Sequence, residues 1–138
     1  MTEPAAQTVM AFDYGTRRIG VAVGQTVSRT ATPLTVLAVR EGGQPRWDAV
    51  QRLLDDWRPD RLVVGMPETA DGKAPDLKDP IERFANQLRG RTALPVEFIT
   101  EHLSSWAAGD AGLDHAGLDA GAATMILETW FEQLALTA

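Results

Sequence analysis

Ala11-Phe12-Asp13-Tyr14-Gly15-Thr16 is the stretch on which the fold turns. The apolar run Val9-Met10-Ala11-Phe12 leads into one carboxylate and then into the turn-like Tyr14-Gly15-Thr16-Arg17-Arg18. A second apolar run, Ile19-Gly20-Val21-Ala22-Val23, follows at once. Two apolar runs around a short polar turn predict a β-hairpin, with Gly15 supplying permissive backbone angles. Asp13 then stands at the end of the first strand.

Outward from the hairpin, Leu34-Thr35-Val36-Leu37-Ala38-Val39 predicts a third strand, so the sheet opens with three consecutive antiparallel strands. After the loop Glu41-Gly42-Gly43-Gln44-Pro45, residues Trp47, Val50, Leu53, Leu54 and Trp57 recur at helical spacing, and Pro59 marks the end. Arg61-Leu62-Val63-Val64-Gly65 reads as a strand, followed by a loop over Met66-Pro67-Glu68-Thr69-Ala70-Asp71-Gly72. A second helix carries Ile81, Phe84, Ala85 and Leu88 on one face, and Pro95-Val96-Glu97-Phe98-Ile99 is a fifth strand. Apolar runs alternating with helices imply parallel strands joined by crossovers. A last helix, about Leu118 to Leu134, is expected to turn Ala122, Met125, Ile126, Trp130 and Leu134 to the core. The expectation is an α/β fold: one domain over 1–138, with a mixed five-stranded sheet, three strands antiparallel and then parallel ones, and helices on both faces.

The composition is that of an ordinary globular protein, with 44% hydrophobic and 23% charged residues in 138. Cysteine is absent, which excludes disulfide and thiolate chemistry and agrees with a reducing, cytoplasmic setting. No basic leader and no apolar stretch of the roughly 18 residues a membrane span needs is present, so no membrane partner is expected. The net charge of −6 is unevenly spread. All 13 Lys and Arg residues lie at or before Arg91, and the segment from Thr92 to Ala138 carries acids alone. Such a segment is either a solvated face or a set of carboxylates that bind cations.

Three acids stand out. Ligands of open α/β sheets collect at the carboxyl ends of strands, where Asp13 lies, and Glu101 follows two residues after Ile99. Asp119 is expected to open the last helix, where Ala120-Gly121-Ala122-Ala123 would let that helix approach the sheet. Carboxylates crowded together repel one another unless a cation neutralises them. An oxygen-only donor set without His or Cys selects Mg²⁺ or Mn²⁺. Two such ions about 3.5 to 4 Å apart carry the two-metal route to phosphodiester hydrolysis. The bland readings stay open here: Asp13 as a turn former, Glu101 as a solvated residue, Asp119 as a helix cap with Asp114 as its competitor.

Around these acids, Arg17 and Arg18 can hold a phosphate or be solvated, and His102 can contact a phosphate or stand exposed in its loop. Ser104 and Ser105 fit the start of a short helix. The tryptophans Trp47, Trp57 and Trp130 fall on apolar helical faces and read as core, with Trp106 less clearly so. Asp13-Tyr14-Gly15-Thr16 is also similar to the phosphate loop of actin-like sugar kinases and chaperone ATPases, folds that need two lobes where this length supplies one.

Three stretches together resemble the bacterial YqgF family: Ala11 through Gly24, Val63-Val64-Gly65-Met66-Pro67 with Asp71-Gly72, and Ala123-Thr124-Met125-Ile126-Leu127-Glu128. These are Holliday-junction-resolvase-like proteins, also described as pre-16S rRNA nucleases, and the likeness runs from about Val9 to Gln133. The resemblance implies an RNase H-like fold and metal-dependent cleavage of nucleic acid in 5′-end maturation of pre-16S rRNA, with branched DNA as the older proposal. Carried over by position, the family's acids fall on Asp13, Glu101 and Asp119 as catalytic residues and metal ligands. From the residues themselves, Arg17, Arg18, His102 and Ser104 are the candidate substrate contacts. The sequence departs from the family pattern at Thr100 and His102, where Asp and Arg are usual, and at Ala107 and Thr69, where Glu and Asn are common. Those losses motivate a second reading, an RNase H-like scaffold that binds nucleic acid or protein without efficient catalysis. The sequence leaves the oligomeric state open between a monomer and a weak dimer.

Overall fold

The computed structural model describes residues 6–15, 17–40, 44–68, 78–102 and 115–137; for 67, 68, 78, 101, 102, 115–120 and 137 the description is of the backbone. In chain order the elements are β1 (Thr8–Tyr14), β2 (Arg18–Gln25), β3 (Thr30–Arg40), β4 (Gln44–Pro45), α1 (Trp47–Trp57), β5 (Arg61–Glu68), α2 (Lys78–Thr92), β6 (Val96–His102) and α3 (His115–Thr137). One six-stranded sheet runs in the order β4-β3-β2-β1-β5-β6. Strands β1 to β4 pair antiparallel, whereas β5 and β6 join parallel to β1 through the helical crossovers.

Alternation along β1 sorts the core into two layers, because successive strand residues face opposite sides. Met10, Phe12 and Tyr14 face α1 and α2, where Ile19, Val21, Leu62 and Val64 meet Val50, Leu54, Ile81, Phe84, Ala85 and Leu88. Phe84 is the hub, its ring 5.5 Å from Phe12, 5.3 Å from Tyr14 and 5.5 Å from Trp47. Val9 and Ala11 face the other way, where Ala22, Val63 and Ile99 meet Ala123, Ile126, Leu127, Trp130 and Phe131 of α3. That helix lies close to the sheet. A Cβ at Gly24 would run into the Thr30 carbonyl oxygen and come within 3.0 Å of the Phe131 ring and 3.1 Å of Leu127.

Helices thus cover both faces, and the antiparallel start and parallel finish match the pattern read from sequence. The strand count differs. Gln44–Pro45, read as loop, pairs with Val39 and Arg40 as the sixth strand, one too short for a hydrophobic period to reveal. Its brevity leaves most of β3 at the sheet edge, where Pro33 and a bulge at Leu34, between the Val21–Thr35 and Ala22–Pro33 pairs, interrupt the row of donors that another chain could extend.

Further differences have local causes. Gly15 was expected to provide unusual backbone angles, yet its φ lies outside the left-handed region. It is required because a Cβ there would stand 2.8 Å from the Arg18 carbonyl oxygen, which accepts the Gly15 N–H. Strand β5 continues through Glu68 and β6 through His102, since their backbones go on pairing where the polar side chains suggested loop. Trp57 is 43% exposed, beside the Arg58 residue that ends α1 with φ 46°. In α3, Met125 is 49% exposed, while Ala123, Leu127 and Phe131 take the buried positions beside Ala122, Ile126 and Trp130. This helix is apolar on nearly every side, with Ala135 and Leu136 outward, so periodicity could not choose its inner face. Trp106 and Ser105 lie outside the described residues.

Candidate functional site

Strand register brings the first two sequence-nominated acids to one face and one edge. Phe12 is level with Val64 and Val64 with Phe98, so Asp13 stands one step on, level with Gly65 and Ile99. Asp13 follows Val9 and Ala11 in alternation, position 101 follows Ile99, and Gly65 follows Val63, so all three backbone positions belong to the α3 side of the sheet. From strand spacing and rise, the Asp13 and Glu101 backbones are about 12 Å apart. Between them stands a glycine, which leaves that space without a side chain. Glu101 is not just past the strand but in its last two residues, opposite Pro67.

Helix α3 supplies the third position. Leu127 and Phe131 lie over Gly24, which is paired with Val9 at the start of β1. Ala123, Ile126, Leu127 and Phe131 belong to the one buried cluster that also contains Val9, Ala11 and Ile99. Asp119 lies four residues, about one helical turn, before Ala123, the first α3 residue of the cluster packed on the sheet. The helix begins at His115, so Asp119 is its fifth residue and does not open it, which removes the capping reading. Of the small residues invoked for close approach, Ala122 and Ala123 are buried, whereas a Cβ at Gly121 would meet open space. Two alanines, not the glycine, allow the contact.

Asp13 is half-buried and takes part in an interaction of its own. Arg17 is exposed at the tip of the hairpin, Arg18 half-buried at the start of β2. His102 ends β6, its backbone opposite Glu68, in place of the loop expected for it. Ser104, Asp114, Thr69 and Ala107 lie outside the described residues. Among the described residues no group of three or more His, Asp or Glu side chains stands ready around a metal, and those of Glu101 and Asp119 are not among them.

Residues 7–133 match the model of the family RuvX, described as Holliday junction resolvase. The chain belongs to the RuvX family. This is the family that its motifs resembled under the name YqgF. Relatives of RuvX type include a protein of Sodalis glossinidius, 43% identical over 94% of this chain and 96% of its own length, and one of Cupriavidus metallidurans, 45% identical over 96% and 91%. Both carry the name "Putative pre-16S rRNA nuclease". Among solved structures, Thermus thermophilus RuvC in complex with a Holliday junction substrate superposes with a TM-score of 0.54 at 18% identity, covering 94% of this chain and 96% of that one. A second structure of the same RuvC gives 0.51 at 17% identity, over 95% and 98%. The RuvX fold is accordingly RNase H-like.

The sequence reading missed Gly65, whose role as a spacer is visible only once β5 is known to lie between β1 and β6. It also passed over Arg40 and Arg46. Arg40 ends β3 and Arg46 follows β4 at the same sheet edge as Asp13, since β3 runs parallel to β1.

Proposed function

We propose that this RuvX protein is a divalent-metal-dependent nuclease that hydrolyses phosphodiester bonds, with precursor 16S rRNA as its substrate. What supports the reading is that backbone positions 13 and 101 share the α3 side of the sheet near its carboxyl edge, beside the bare Gly65, and that Asp119 belongs to the helix covering that side. The names borne by its RuvX relatives supply the substrate.

Asp13, Glu101 and Asp119 are the proposed ligands. Their donor set is carboxylate oxygen alone, which fits Mg²⁺ or Mn²⁺. When bound, the ions supply an activated water and stabilisation of the leaving 3′ oxygen. The chain's own part is positional. Asp13 is fixed by backbone pairing on both sides of β1, to Gly20 of β2 and, one residue earlier, to Val64 of β5. Glu101 is held by parallel pairing to β5. Asp119 is held by the packing of Ala122 and Ala123 against the sheet. Three rigid elements thus hold the acids without relying on loop geometry, as a metal site that must not drift requires.

Incubation with Mn²⁺ and an end-labelled fragment spanning the 5′ end of precursor 16S rRNA tests the reading. Cleavage is expected in the native chain and is expected to vanish in Asp13→Asn. Absence of cleavage in the native chain, with binding retained, establishes the scaffold reading in its place.

A further inference from the structure

We propose that Arg40 and Arg46, together with Arg17, form a phosphate-binding path that carries the nucleic-acid backbone from the acidic site across the β1–β2 hairpin to the start of α1. The inference rests on the nuclease reading and extends it to how the substrate lies. The Arg17 carbonyl accepts the Val39 N–H at 2.8 Å, which makes Arg17 a neighbour of Arg40, and Arg40 pairs with Gln44, two residues before Arg46. Strand spacing and rise set the Arg40 backbone roughly 16 Å from Asp13 along the same edge.

Arg46 occupies a position where an arginine is unfavourable for the fold. It is the N-cap of α1, makes no side-chain cap, and puts a cation at the positive end of an 11-residue helix. Capping and helix dipole both favour Ser, Thr, Asp or Asn there, by about 1 kcal/mol. The return of Arg46 in the fold is one long surface pair with Asp48, and local rules are broken chiefly at functional or strained positions.

Among the described residues, Asp48 is the carboxylate that stands between Arg40 and Arg46. Its Oδ1 is 4.0 Å from Arg40 Nη2 and its Oδ2 3.5 Å from Arg46 Nη2, so the two guanidiniums flank one point. The desolvation that would raise the Asp48 pKa is outweighed by the Ala49 N–H and by Arg46, and the carboxyl titrates below the ordinary aspartate range. Side-chain exposures of 63% for Arg40, 47% for Arg46 and 62% for Asp48, at those long separations, make these surface pairs that a phosphate can replace. Other arginines are engaged elsewhere: Arg61 with Glu97, Arg89 with Asn86 and the Val96 carbonyl, and Arg91 over the Trp47 ring. In a chain of net charge −6, the exposed Arg17, Arg40 and Arg46, with Asp48 between two of them and Glu41 next to Arg40 in sequence, gather positive charge at one sheet edge.

The test is the salt dependence of binding, read by fluorescence anisotropy without added metal, of a labelled single-stranded precursor rRNA fragment and, separately, a four-way DNA junction. Arg40→Gln/Arg46→Gln is expected to weaken RNA binding about tenfold and to lower the slope of log affinity against log salt by about 1.4, the loss of two single-strand phosphate contacts. Arg40→Lys/Arg46→Lys, which keeps the charge, is expected to restore the slope. Arg29→Gln/Arg58→Gln, the same charge change at the opposite edge, is the control. Equal loss in the control, or an unchanged slope in the Gln pair, overturns the path. If the Gln pair matches the native chain while the native chain still cleaves RNA, only the path falls; if the native chain binds neither probe, the nuclease reading falls with it. Equal losses with RNA and junction assign the path to the shared backbone, and a loss with the junction alone overturns its role toward RNA.

Discussion

The two faces of the sheet are built from different materials. On the α1/α2 side, Phe12, Tyr14, Trp47 and Phe84 form a packed aromatic group, with Phe84 at the centre of three ring contacts. On the α3 side, Ala11, Ala22, Ala122, Ala123 and Gly24 let a helix approach the strands closely. Large side chains bury more area and hold the fold, whereas small ones set a short distance between elements. Positions 13 and 101 lie on that side near the carboxyl edge, and position 119 is in the helix that covers it. The cluster around Phe84 is expected to serve stability alone, whereas the α3 side, which buries Trp130 and Phe131 as well, is expected to serve stability and to fix the site.

Separate measurements can break that division. Phe84→Ala removes the aromatic hub and is expected to cost about 3 to 5 kcal/mol in denaturant unfolding, with cleavage per folded molecule retained. Loss of cleavage out of proportion to unfolding would contradict the division. Asp13→Asn is expected to lower the cleavage rate at least about a hundredfold, about 3 kcal/mol of barrier, with the unfolding midpoint nearly unchanged. Gly24→Ala pushes a methyl against Thr30, Leu127 and Phe131, so α3 must move. It is expected to cost about 1 to 3 kcal/mol and, unlike Phe84→Ala, to depress cleavage in molecules that remain folded. Trp57→Ala, at an exposed tryptophan, is expected to change stability by about 0.5 kcal/mol or less, read from the same unfolding curves.

The same contrast explains what the sequence made legible. The α2 face was plain because Ile81, Phe84, Ala85 and Leu88 alternate with charged residues at helical spacing, and all four are buried. In α3 the outward Met125 and Leu136 are as apolar as the inward Leu127 and Phe131, so only contact with the sheet distinguishes them. Strand β4 was hidden because two residues carry no period. Asp13 was readable as a strand-end carboxylate beside a turn. Its relation to Gly65, Glu101 and Asp119 depended on strand order, which places β5 between β1 and β6 and which no local pattern encodes. The arginine at the N-cap of α1 was hidden for a similar reason, since the cap is recognisable as an exception only after the helix start is known.

The central claim is that three acids from β1, β6 and α3 share one metal site. A crystal soaked in Mn²⁺ and measured at the manganese absorption edge tests it directly. The account predicts anomalous density over Gly65, in contact with carboxylate oxygens of Asp13, Glu101 and Asp119. Density bound to one acid alone, or to residues outside that edge, would contradict it.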